Sequence, residues 1–456
     1  MRRLGWFGVL LVIVVLAAAC GSGKKIVSDV PGTTTPTTTD VCSTTQPTAT
    51  EVGVSPKTIT VTVIADTGSP IRPGVFQGSV DAVQAWAKYI NANGGLACRQ
   101  VVVKAADSKL SADDARNSIT TACADSLALV GTTALFLDNM TPAEQCKDKA
   151  GQPVGMADLA VLQTYAVQQC SPVSFPMLSS GASCPYNDSG VRTFKISNVT
   201  TNYYTQKYGS GALHGVYLVP NDLPSTIAAS TPLFALDVHE GIKRDAEFGV
   251  SALATQSAYT PYVQAIKAHK STFARNGSDY ASNVFFAKEA QTQGVNTVKV
   301  WDCSLQCYDR RLISEGGSAV EGHYTWISFL PFEDKGHNDE LNAFLQYDKK
   351  PDGFGAQAWV AGEVFATAVN DIVAKSGPNG ITRSALLAAI RNVNDFDANG
   401  FIAPTNIGDK VGSTCLIGMQ VQNGKFVRVD PVEPGKFDCT GSIVDITLDP
   451  VQAYKG

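Results

Sequence analysis

From Thr58 onward, apolar and polar positions follow two alternating periods. "TITVTVIAD" is an apolar-rich run ending at Asp66 and predicts a buried strand. "QGSVDAVQAWAKYINANGG" spaces its apolar residues three and four apart and predicts a helix closed by Gly94 and Gly95. "RQVVVKAAD" predicts the next strand, "SADDARNSITTACAD" a helix capped by Ser111, and "SLALVGTTA" a third strand. Strand, helix and strand at this spacing mean βαβ units in a parallel sheet. Ligands of such sheets bind beyond the carboxyl ends of the strands. One loop at such a place is "SSGASCP", directly after the short apolar run "VSFPML". It has no acid, histidine or lysine, so its hydroxyls and N–H groups suit a polar head group rather than proton transfer. A Ser-rich turn stapled by Cys184 is the alternative reading.

The two ends of the pattern differ from its middle. "MRRLGWFGVLLVIVVLAAAC" has Arg2 and Arg3, an apolar run from Leu10 to Leu16 and small residues before Cys20. This is the form of a secretory signal over residues 1–19, and the run is too short to favour a permanent membrane helix. The ending resembles a bacterial lipobox, which makes Cys20 the expected lipidated residue; an ordinary cleaved signal peptide is the alternative. Residues 20–56 are dominated by Thr, Pro, Ser and Gly, a composition that predicts a flexible tether between anchor and body.

Composition narrows the class. The chain has 456 residues, 44% hydrophobic, with a formal charge of −5. A mildly acidic chain without basic blocks argues against nucleic acid as a partner. Of eleven cysteines, a lipidated Cys20 leaves an even set, which in an exported protein favours disulfides over metal ligands. The expected pairs are Cys98 with Cys123, Cys303 with Cys307, Cys415 with Cys439, and Cys170 with Cys184. His214, His239, His269, His323 and His337 form no metal or nucleophile motif, and no phosphate-binding glycine motif appears, so neither an enzyme nor a cofactor is expected.

Several stretches in order resemble the branched-chain amino-acid class of periplasmic binding proteins, the solute receptors of bacterial ABC importers. They include "YINANGGLACRQVVV", "LALVGTTA", "PMLSSGASCPY", "RTFKISNVTTNYYTQ", "KEAQTQGVNTVKVWD", "GGSAVEGHYTWISFLPFE", "FGAQAWVAGEVFATAV" and "ITRSALLAAIRNV". The resemblance implies an α/β fold of two Rossmann-like lobes with parallel sheets and a three-crossover hinge, the type 1 periplasmic binding fold. Lobe 1 would take residues 57–197 and 328–403, and lobe 2 residues 198–327 and 404–456.

It also implies a lipid-anchored, extracytoplasmic, monomeric protein that traps a small polar ligand by hinge closure and delivers it to an ABC permease. A sensor module that docks on a membrane partner is the alternative. Carried over position by position, the carboxylate loop is Ser179, Ser180, Gly181, Ala182 and Ser183. Arg72, Thr132, Thr133 and Phe136 face the cleft from lobe 1. In lobe 2, Tyr280 and Asp279 would lie over the ligand, and Asp302 would meet an ammonium. The stretch "VYLVPNDLPSTIAAS" departs from the family, lacking its usual Tyr-Gly and adding Pro220 and Pro224. Small amides, peptide fragments and aromatic acids therefore stand beside amino acids as ligands.

Overall fold

The computed structural model describes residues 42–68, 73–185 and 192–448. The signal-peptide residues, Cys20 and Arg72 lie outside the described residues. Near the amino end, β1 (Thr58–Ala65), α1 (Gln77–Ala92), β2 (Gln100–Asp107), α2 (Ala112–Asp125) and β3 (Ala128–Thr132) form as the alternation predicts. Ser111 caps α2 by accepting a hydrogen bond from the Asp114 amide at 3.2 Å. With β4 (Asp158–Leu162) and β5 (Ser174–Leu178) these strands make an all-parallel sheet in the order β2-β1-β3-β4-β5.

After β6 (Arg192–Ser197) and α3 (Val199–Tyr208), the chain builds a second sheet. Its parallel part uses β7 (His214–Pro220), β8 (Lys243–Val250), β9 (Phe273–Asn276), β10 (Val300–Asp302) and β11 (His323–Ile327). Between these strands run α4 (Pro224–His239), α5 (Thr260–His269) and α6 (Tyr280–Thr292). The chain then returns to the first sheet with α7 (Asp339–Tyr347), α8 (Gly353–Ser376) and α9 (Arg383–Ile390). It crosses once more to add an antiparallel hairpin, β12 (Ile417–Gln422) and β13 (Lys425–Asp430), beside β11. Finally β14 (Ile443–Leu448) pairs with β6 in a separate ribbon. The long, mostly buried α8 lies against α1 because Gly362 leaves room for the Trp86 ring, where a Cβ would stand 2.4 Å from the indole.

Two expectations need correction. Residues 42–56 are not a tether but lie docked on the first sheet's helices. Arg99, fully buried, donates to the carbonyls of Ser55, Thr48 and Pro378 at 2.8–2.9 Å, and the Glu51 carboxylate accepts from the amides of Lys149 and Arg383. Composition hides this because the partners are backbone groups and two buried arginines far away in sequence. Cys98 pairs with Cys42 in that segment, not with Cys123, which pairs with Cys146; each pair has its Cα atoms 5.4 Å apart. The bonds Cys170–Cys184, Cys303–Cys307 and Cys415–Cys439 form as expected. The Cys42→Ser/Cys98→Ser variant is expected to lose about 2–4 kcal/mol, since the bond closes a long loop. Thermal unfolding checks this, and limited proteolysis should now cut within residues 42–56.

Candidate functional site

Strand order places the site. In the first sheet the order reverses between β1 and β3, and in the second between β7 and β9, so a crevice opens at the carboxyl ends of each pair. Asp66, fully buried at the end of β1, ties the crevice loops together. It accepts from Ser108 Oγ at 2.7 Å, the Leu110 amide at 2.7 Å and the Leu135 amide at 2.8 Å. Burial pushes its carboxyl pKa up, and these three bonds pull it partly back.

Between the two sheet-helix bodies lies a cavity of about 460 Å³, within the range of about 300–1,000 Å³ usual for organic ligands. Its wall is chiefly apolar. The first body supplies Leu110, Leu135, Leu162 and Met177; the second supplies Pro220, Leu223, Leu233 and Phe234. Phe354 closes the near end and packs edge-on to Phe76 with ring centres 4.8 Å apart.

The second-body wall is mostly α4, the stretch where the chain departs from the resemblance. Pro224 starts the helix and Pro232 interrupts its hydrogen-bond ladder. Thr226, Ser230, Leu233 and Asp237, at offsets of four, seven and eleven, form one helical stripe along the cavity.

Polar side chains, Gln163, Thr164, Thr200, Thr201 and Gln357 among them, also line the cavity, although apolar atoms make up most of its exposed wall. Ser179, Ser180 and Gly181 line the first-body side. Gly181 has φ of +73°, and a Cβ there would meet the Lys195 carbonyl at 2.5 Å, so only glycine fits this turn. The loop is closed on itself: the Gly181 amide donates to Ser179 Oγ at 3.0 Å, and the Ser179 hydroxyl donates to Gln169 at 2.8 Å.

Across the cavity sits a buried ion cluster. Arg275 donates from Nε to Asp302 at 2.9 Å and faces Asp237 at 2.7 Å. The other Asp302 oxygen accepts from the Tyr204 hydroxyl at 2.5 Å, and that hydroxyl accepts from the Trp326 indole at 2.8 Å.

The remaining expected residues are placed as follows. Ala182 is buried beside Ala166 and Phe194, and Ser183 is exposed with its amide on the Thr193 carbonyl; neither lines the cavity, because β6 draws this end of the loop away. Thr132 and Thr133 are buried in the sheet beneath the cleft, and Phe136 also stands off the wall, where Leu135 is the contact instead. Asp279 caps α6 through the Ser282 amide and reaches the cavity edge. Tyr280 turns to a smaller neighbouring cleft, where Arg311 lies 4.4 Å over its ring. Asp302 does line the cavity, but its oxygens are turned to Arg275 and Tyr204, which leaves it no free face for an ammonium. Leu223, Leu233, Asp237 and Arg275 escaped sequence reasoning; a lone arginine in the apolar strand "TFARN" was the available signal.

Among the described residues no group of three or more His, Cys, Asp or Glu is placed to hold a metal, and no helix is long and apolar enough to cross a membrane. A family model for periplasmic binding proteins matches residues 58–425. The chain belongs to that family. No curated protein matches significantly in sequence. The fold is similar to solved structures that share little sequence with it. An ABC transporter substrate-binding protein from Aeropyrum pernix is 13% identical, with TM-score 0.64 over 84% of this chain and 98% of that one. A leucine-binding protein from Thermotoga maritima is 17% identical, with TM-score 0.61 over 82% and 97%. A fatty acid ABC transporter substrate-binding protein from Thermomonospora curvata is 15% identical, with TM-score 0.61 over 88% and 96%. This periplasmic binding protein thus has the two-lobed type 1 fold, and the crevice between its lobes is the candidate site.

Proposed function

We propose that this periplasmic binding protein is the extracytoplasmic solute-binding subunit of an ABC importer. In this reading it is anchored through a lipid on Cys20 and captures an amphipathic solute with an extended apolar body. The observation that carries the ligand class is the apolar, two-sided cavity: a ligand touching Leu135 and Met177 on one lobe and Leu223 and Leu233 on the other is favoured most when both walls close on it. A permease that reads closure then receives only loaded protein.

The neighbours named for leucine and for fatty acids bracket this ligand. The self-closed serine loop and the occupied Asp302 favour the apolar-bodied end of that range over a free amino acid. A thermal-shift comparison of leucine, isoleucine, decanol, decylamine and decanoate tests the reading. A ligand at a hundred times its dissociation constant stabilises by about 2.7 kcal/mol. At least one decyl compound should raise the melting temperature while the amino acids leave it unchanged; stabilisation by leucine alone would overturn the proposal.

A further inference from the structure

We infer that the ligand's head group is a hydrogen-bond donor, an ammonium or a hydroxyl, seated on the carboxylate of Asp237 beneath α4. This inference rests on the apolar-bodied ligand proposed above and names the chemistry of its polar end.

Asp237 is fully buried and lines the cavity at the end of the α4 stripe. Its Oδ2 is ion-paired with the Arg275 Nη1 at 2.7 Å and the Tyr217 hydroxyl stands beside it, but neither contact is a well-aligned hydrogen bond, so the carboxylate keeps acceptor capacity. A buried carboxylate in that condition carries a desolvation cost that an incoming donor would relieve. The charge count points the same way. Arg275 is one cation between two carboxylates, and Asp302 already takes its Nε and the Tyr204 hydroxyl. The cluster therefore holds one more carboxylate than guanidinium, and Asp237 is the member with fewer hydrogen bonds.

At the serine loop an anionic head finds no comparable seat. The Gly181 and Ala182 amides are given to the hydroxyls of Ser179 and Ser180, and Lys195 is exposed and paired with Asp445 at 2.9 Å. A ligand lying along α4 with its donor on Asp237 places its apolar body against Leu233 and Leu223.

This seat responds to pH. Burial raises the Asp237 carboxyl to about 7; Arg275 from β9 and Arg244 from β8 pull it down, and Asp302 from β10 pushes it up. Tyr217 from β7 faces it as well, its own pKa raised by burial and by Asp237. Asp237 is protonated on the acid side, so an alkylammonium binds more tightly as the carboxylate forms on raising the pH through about 7.

The test titrates the full-chain protein with decylamine, decanol and decanoate, as wild type and as Asp237→Asn. Decylamine should bind wild type at least about tenfold more tightly than decanoate at pH near 8, and Asp237→Asn should remove about tenfold of the decylamine affinity while weakening decanol less, since its hydroxyl can still donate to the amide oxygen. The wild-type affinity for decylamine should rise between roughly pH 6 and 8, a readout that needs no variant. Equal binding of decanoate and decylamine, a flat pH profile, or decylamine binding untouched by Asp237→Asn would overturn the donor assignment and leave the apolar cavity standing. Binding of none of the three would overturn both.

Discussion

Arg275→Met is expected to cost about 3–5 kcal/mol of folding stability, because removing one partner of a buried ion cluster strands the others. The Asp237 and Asp302 side chains are 0% and 1% exposed. Without the guanidinium, both carboxylates keep their desolvation cost and lose their countercharge. Asp237 would then be neutral at pH 7, and Asp302 would keep the hydrogen bond from the Tyr204 hydroxyl, which itself accepts from the Trp326 indole. Replacing all three charges, as Asp237→Asn/Arg275→Met/Asp302→Asn, should recover most of the loss, since paired removal leaves no orphan. Chemical denaturation of the single and triple variants checks this. A single variant within about 1 kcal/mol of wild type would mean the cluster is more hydrated than its burial implies.

The second large effect concerns binding. Ala229 lies on α4 with its side chain exposed to the cavity rather than packed in the core. Ala229→Trp adds volume to open space, so the fold should be held within about 0.5 kcal/mol while the ligand loses its room. Affinity for any decyl compound that binds wild type should fall by more than about a hundredfold, the loss expected when most of an apolar contact is displaced. A parallel change at Val238, on the solvent side of the same helix, should leave binding intact.

Legibility in the sequence followed the range of the interactions. The first lobe's βαβ units could be read because burial there imposes a period on neighbouring residues, as in β1 and α1. The small-residue turn after β5 was also visible, because small residues at a strand's carboxyl end have a local cause, although its amides turn onto its own serines. The role of Asp302 was not. Its neighbours Tyr204, Arg275 and Trp326 come from three other elements, and only folding shows that its oxygens are taken.

The N-terminal segment misled for a related reason. Its Thr and Pro composition says nothing of Cys42 or of the carbonyls that Arg99 collects. The departure at "VPNDLPSTIAAS" was legible as a difference; its consequence, a proline-containing helix that walls an apolar cavity, belongs to tertiary structure.

In the proposed mechanism both lobes grip one apolar-bodied solute. Small-angle X-ray scattering of the purified protein with and without saturating decylamine tests it most directly. A smaller radius of gyration is expected in the loaded protein, lost again in Ala229→Trp; binding that leaves the scattering curve unchanged would rule out capture between the lobes.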